Sequence, residues 1–272
     1  MGWCGSLNSL QKVVSISFCT GITDRCLWFL RIEKSSITVK RGHIYGKEIS
    51  EYEAEKFKER LLSKYKHLSA ELTTNEYEQF FLEAEEYNKN LVGNQLNVNI
   101  EKSQNSNYRQ LLSLDNSGIM GYLNIDKINV RLPIYHGTDA ATLQKGIGHL
   151  EGSSLPVAIE TQHVVISGHT GLSSARLLTD LIDVQVGDEF RIDVLNQRYK
   201  YIVDQILVVE PHETEHLEII QGKQYATIIT CTPYGVNTHR LLVRGVLQND
   251  KLPVNISEDA VVLHWHKIFN II

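Results

Sequence analysis

The hydrophobic period of this chain changes once, and the change constrains the fold more than any other feature. From about Ile49 to Val92 apolar residues recur at spacings of three and four: Phe57, Leu61, Tyr65 and Leu68, then Tyr77, Phe80, Ala84, Tyr87 and Leu91. The two runs, separated near Ala70 to Thr74, predict a helical hairpin over 49–93. Thr73 followed by Glu76 forms a capping box for the second helix, and Gly93 supplies its stop. From Gly118 onward the period falls to two, with Tyr122, Ile128, Val130, Leu132 and Ile134 in short runs rich in β-branched residues. Further strands are expected at His163 to Ile166, Glu189 to Val194, Tyr199 to Val209, Ala226 to Thr230 and Leu241 to Leu247. A helix is expected over Ser173 to Leu181, capped by Ser173 or Ser174. The fold class is therefore mainly β, a β-rich domain over 118–247. Closure into a barrel is favoured because it removes exposed strand edges.

Between these parts, residues 94–117 turn polar and read as a linker or surface loop. The first 48 residues read as a degenerate signal or anchor remnant, since Val13 to Leu30 is apolar but broken by Asp24 and Arg25. The tail, 248–272, carries a short apolar stretch from Ala260 to Ile272 interrupted by His264, His266 and Lys267, and reads as a truncated anchor.

Composition narrows the function classes. At 272 residues and a formal net charge of -5 the chain has no basic footprint for nucleic acid. Cys4, Cys19 and Cys26 crowd the start, and Cys231 is alone in the rest, which is not the spread of a disulfide framework. His212 and His216, or His264 and His266, lack companions at zinc-ligand spacing, so no metal and no cofactor is expected.

Cys231 ends the apolar run Thr227-Ile228-Ile229-Thr230 and precedes the turn formers Thr232-Pro233-Tyr234-Gly235, so its thiol belongs where a strand leaves the sheet. A second strand end carries Ser167-Gly168-His169-Thr170-Gly171, and Arg240 opens the strand after the loop. A thiol at its ordinary pKa of ~8.5 is only a few per cent thiolate at neutral pH, so an imidazole or guanidinium beside it helps to populate the nucleophile. Arginine cannot serve as the base; its role would be to stabilise an oxyanion or hold substrate carbonyls. Arg244 competes with Arg240, because an even spacing puts both on one strand face. His136 and His149 are read as structural histidines, and His239 as a surface or packing residue.

The string Thr227-Ile228-Ile229-Thr230-Cys231 resembles the signature of the sortase family, with Ile228 where a leucine is usual. Thr232 to Gly245 resembles the class C, pilin-polymerising branch of that family. So do Gly121 to Ile125, Leu132 to Thr138 and Gly148 to Pro156. The resemblance implies a closed barrel of about eight strands with short helices, Cys231 as nucleophile, His169 as general acid and base, and Arg240 as the stabilising arginine. It further implies substrate contacts at Thr230, Ser167, Gly168, Thr232 and Tyr234. The implied reaction is cleavage of an LPxTG-like sorting signal at Thr-Gly, followed by transfer to an amine. The implied partners are pilins or surface proteins with such signals and, as the amine, a pilin lysine or a cell-wall precursor. The implied place is the outer face of a Gram-positive-type membrane or wall, with membrane association.

The sequence departs from the branch where an Asp-Pro-aromatic lid is usual, because 94–117 holds no proline and no such triplet. An accessible Cys231 is therefore expected. Two other readings stay open at this point: a housekeeping-type sortase that attaches proteins to peptidoglycan, and a peptide-binding surface module whose cysteine is inert.

Overall fold

The computed structural model describes residues 52–92, 107–172 and 175–248, with side chains left aside at 171–176. The expectations for Cys4, Cys19, Cys26, the first 48 residues, Gly93, Ser173, Ser174, His264, His266 and the tail lie outside the described residues. No described helix is long and apolar enough to cross a membrane.

The helical hairpin consists of α1, residues 52–71, and α2, Thr74–Leu91. Thr73 caps α2: its hydroxyl accepts from the Glu76 amide at 3.3 Å, and the Glu76 carboxylate accepts from the Thr73 amide at 2.9 Å. Buried side chains fasten the hairpin to the rest of the molecule, Tyr65 and Asn88 among them. Tyr65 donates its hydroxyl to the Met120 carbonyl at 2.8 Å and accepts from the Leu195 amide at 2.8 Å. Asn88, with no exposed surface, donates to the Leu155 carbonyl at 3.0 Å and accepts from the Leu155 amide at 2.7 Å.

The eight strands of the barrel are β1 (Ile119–Ile125), β2 (Val130–His136), β3 (Ile147–His149), β4 (Gln162–Ser167), β7 (Glu189–Val194), β8 (Gln197–Val209), β9 (Gln224–Thr232) and β10 (His239–Leu247). They close in the order β1-β2-β3-β4-β9-β10-β8-β7. The pairs β2–β3 and β4–β9 are parallel; the others are antiparallel. A short helix α3, Ala140–Lys145, lies in the β2–β3 connection, and Asp139 caps it by accepting from the Thr142 amide.

Side chains alternate across each strand. On β10 Leu241 and Val243 point into the main core with Leu123, Ile134, Ile166, Phe190, Tyr201 and Ile228. Leu242 points outward into a second apolar cluster with Leu150, Val165, Val209 and Leu217, against which Leu207 and Ile229 pack. The barrel wall next to the candidate site is thus apolar on both faces. This explains why β9 reads as a continuous apolar run rather than an alternating one.

Two expectations are corrected. The described part of the expected helix, 175–181, is not an α-helix: β5 (Thr170–Leu172) pairs with β6 (Ala175–Leu177) as a two-stranded ribbon, and a 3-10 helix, Thr179–Asp183, follows. Leu177 takes φ 37°, which ends any regular right-handed helix there. Leu177, Leu178 and Leu181 imitate a helical stripe because all three reach the core, but they do so from a strand end, a turn and a 3-10 turn. Similarly, residues 107–117 are not wholly a surface loop. Tyr108–Gln110 is a 3-10 helix, and Tyr108, Leu111 and Leu112 are buried in the core.

Candidate active site

Cys231 lies one residue from the end of β9 and is a free, half-buried thiol. In the antiparallel β9–β10 ladder its direct partner is Arg240. Directly opposed residues place their Cβ atoms about 5 Å apart on one face. That face is the outer one, because Cys231 follows Ile229 by two positions. The guanidinium is steadied by its own loop: Nη1 donates to the Asn237 carbonyl at 3.2 Å and to the His239 carbonyl at 3.0 Å. Asn237 holds its carbonyl there from a left-handed conformation, φ 60°. The two Nη1 hydrogens are thereby used, and Nε–H and Nη2 find no partner among the described residues.

His169 sits between β4 and β5, half exposed. Its neighbours bind it to the end of β9 on both sides. The Gly168 amide donates to the Ile229 carbonyl at 3.0 Å, which continues the parallel β4–β9 pairing past Ser167. Thr230 donates its hydroxyl to the Gly168 carbonyl at 2.9 Å. Thr170 Oγ1 lies 2.6 Å from Thr230 Oγ1 and also donates to the Cys231 carbonyl. On the other side the Leu178 amide donates to the His169 carbonyl at 3.3 Å. Gly168 has no room for a side chain: a Cβ would stand 2.6 Å from Ile147 Cγ2 and 2.8 Å from Leu178 Cδ1. Glycine here lets the histidine-bearing segment press against the barrel.

The remaining sequence candidates divide by depth. Thr230 and Thr232 are 3% and 4% exposed, so they lie beneath the surface, and the Thr230 hydroxyl is already bonded inward. Ser167 is half-buried at the end of β4, and Gly168 is buried. Tyr234 is 69% exposed, on the loop that leaves β9, beside Val236 at 65%. The Thr232-Pro233 peptide of that loop is cis.

Arg244 has a different setting from Arg240. It faces Thr227 on β9, four residues or about 13 Å along the strand from the Cys231 level. Its guanidinium grips Asp204 through Nη2 at 2.7 Å and Nε at 3.1 Å and 3.2 Å, and lies 4.3 Å from the Tyr225 ring centroid. A bulge between Arg244 and Gly245 leaves Asp204 without a ladder partner and turns its carboxylate to the arginine's side. Asp204 is 2% exposed at its side chain, and no sequence pattern singled it out.

His136 and His149 are buried structural histidines, as expected, and His163 is a third. His149 is buried between the Tyr108 hydroxyl, 2.8 Å from Nδ1, and the Ser154 carbonyl, 2.8 Å from Nε2. These partners assign the proton to Nε2, and burial pushes its pKa down to about 4. His163 is held by the Glu218 carbonyl and the Thr227 hydroxyl, and burial likewise pushes it down to about 4. For His136 burial lowers the pKa against the pull of two carbonyl acceptors, Gly118 and Leu111. His239 bonds Thr238 at the strand start, and His212 and His216 lie near Glu210 and Glu215. No group of three or more His, Cys, Asp or Glu side chains is placed to hold a metal among the described residues.

Comparison with known proteins gives concordant results. A sortase domain family model matches residues 123–248. Sortase D of Bacillus subtilis (strain 168) is 32% identical over 114 residues, covering 42% of this chain and 54% of that protein. Sortase A of Bacillus anthracis is 24% identical over 139 residues, covering 51% and 64%. The chain thus spans between about half and just under two thirds of the curated relatives it matches. Among solved structures, sortase C1 from Streptococcus agalactiae superposes with a TM-score of 0.67 at 43% identity, covering 72% of this chain and 100% of that one. Sortase C of Streptococcus pneumoniae, described with pilin substrates, gives 0.64 at 37% identity, covering 72% and 100%.

Proposed function

This chain belongs to the sortase family, and we propose that it is a class C cysteine transpeptidase that cleaves an LPxTG-like sorting signal at Thr-Gly and passes the acyl group to an amine. The carrying observation is the placement of Cys231 directly opposite Arg240 in the β9–β10 ladder, with both flanks of His169 bonded to the same end of β9. On this reading Cys231 would be the nucleophile, His169 the proton carrier and Arg240 the fixed cation at this end of β9.

In this reading the Cys231 thiolate attacks the threonine carbonyl carbon. The electron pair moves to the carbonyl oxygen, and Nε–H and Nη2 of Arg240 are free to donate to that oxyanion. When the tetrahedral intermediate collapses, the C–N bond breaks and His169 as imidazolium gives its proton to the leaving glycine amine. A thioester remains on Cys231. An incoming amine attacks it, His169 takes the amine's proton, and the thiolate departs as the new amide forms. No redox step or cofactor enters the balance.

The pneumococcal neighbour with pilin substrates supports a pilin lysine as that amine. Such a protein would work on the outer face of a Gram-positive-type cell. Ser167 and Gly168, at the end of β4, and Tyr234, on the loop that leaves β9, would contact the signal. Thr230 and Thr232 would support it from below. The test is incubation with an LPxTG peptide and a pilin-derived lysine peptide. Release of the glycine-started fragment together with an isopeptide conjugate is expected. Hydrolysis without conjugate, at saturating lysine peptide but with efficient transfer to a peptidoglycan stem amine, would point to the housekeeping reading. Failure to cleave would remove the activity.

A further inference from the structure

We propose that Thr170 is a positioning residue for the chemistry of Cys231 and His169: its hydroxyl bridges the histidine's segment to the nucleophile's own backbone. The inference rests on the dyad reading above and adds a residue to it. Thr170 follows His169, and its Oγ1 donates to the Cys231 carbonyl while lying 2.6 Å from Thr230 Oγ1. Thr230 in turn precedes Cys231 and donates to the carbonyl of Gly168, the residue before His169. The two hydroxyls therefore form a crossed clasp. Each comes from a residue adjacent to one catalytic side chain, and each donates to a backbone carbonyl at the other.

The clasp is separate from the barrel's hydrogen-bond ladder. Thr170 belongs to β5, whose ladder partner is β6 in a two-stranded sheet, whereas Cys231 belongs to β9 of the barrel. Backbone pairing between β4 and β9 ends with the Gly168 amide, one residue short of His169. Beyond that point side-chain hydroxyls carry the registration. A valine at 170 keeps the β-branched shape and the strand preference but leaves the Cys231 carbonyl without this donor. A serine restores the donor with one methyl fewer. Because misplacement of about 1 Å between reacting groups can lower a rate about 100-fold, the loss falls on the rate of the covalent step rather than on substrate binding.

The experiment follows the rate of Cys231 alkylation by iodoacetamide against pH in the full chain, for the parent, His169→Ala, Thr170→Val and Thr170→Ser. Peptide kcat and KM are measured alongside, and melting is used to confirm folding. The expected result is that Thr170→Val moves the alkylation profile at least halfway toward that of His169→Ala. It should also lower kcat about 10- to 100-fold with KM within about threefold. Thr170→Ser should track the parent. A Thr170→Val profile that coincides with the parent's while His169→Ala differs overturns this inference alone. A serine variant as impaired as the valine also overturns it, because packing rather than the donor is then at issue. If His169→Ala itself coincides with the parent, the dyad reading fails and this inference falls with it.

Discussion

Two arginines on the outer face of β10 look equivalent in the sequence, and their surroundings separate them. Arg240 spends one nitrogen on loop carbonyls and keeps the rest of its fork open beside the thiol. Arg244 is closed into an ion pair with a buried aspartate and stacked on Tyr225. Substitution at the two positions should accordingly divide activity from stability. Arg240→Lys is expected to lower kcat/KM by at least about 100-fold with little change in the denaturant midpoint, since an ammonium cannot reproduce the planar fork. Arg244→Met should leave Asp204 buried and unpaired and destabilise the fold by about 3 kcal/mol. Urea titrations and peptide kinetics on both variants check the assignment; a catalytic collapse in a stable Arg244→Met protein would reverse it. The sequence placed both arginines on the right strand face because strand alternation is local. It was silent on Asp204, whose orientation depends on a bulge between strands that are distant in sequence.

At the level of elements, periodicity carried the reading where the segment was long. The hairpin, with its Thr73–Glu76 capping box, and the strands β4, β7, β8, β9 and β10 stand where the pattern placed them, within a few residues. Short segments misled it. Nine residues from Ser173 are too few to separate a helix from a ribbon followed by a 3-10 turn, and the Asn- and Ser-rich composition around Tyr108 hid three core residues. The hairpin's docking also escaped notice, because it depends on Asn88, a polar residue inside an apolar stripe, whose amide satisfies both backbone groups of Leu155. Asn88→Ala should leave the Leu155 amide buried without this partner, while the Leu155 carbonyl keeps the Val157 amide, a loss of about 1–3 kcal/mol. In hydrogen exchange the hairpin should lose protection before the barrel does. A variant as stable as the parent would show that the two bonds are dispensable. Activity should be nearly unchanged, since Asn88 touches none of the residues around Cys231.

For the whole molecule, the closed barrel was anticipated from the absence of tolerable strand edges, but its order was not, because β2–β3 and β4–β9 pair in parallel across long connections. The β4–β9 pair is the one on which the proposed function depends: it brings the ends carrying His169 and Cys231 to the same edge of the barrel. The same interior fixes the response to acid. His149 and His163 are held neutral by burial, with folded pKa values of about 4 against about 6.5 when unfolded. Between those values the unfolded chain binds more protons than the folded one. Stability therefore rises with pH through this window and falls as pH drops from about 6.5 to about 4, by on the order of 3 kcal/mol per histidine. Urea midpoints measured across pH 4–7 should show this slope, and His163→Gln should remove about half of the histidine contribution to it if it folds. A midpoint independent of pH would contradict the buried neutral state.

The central claim is that Cys231 carries a covalent acyl intermediate. Intact-mass spectrometry of the full chain, quenched in acid after brief exposure to an LPxTG peptide, tests it most directly. The account predicts a mass increase equal to the peptide's acyl portion through threonine, localised to Cys231 and discharged by hydroxylamine. It should be absent from Cys231→Ala, a protein expected to fold like the parent because a half-exposed thiol at a strand end contributes little packing. An acyl adduct on another residue, or cleavage of the peptide by the alanine variant, would contradict it.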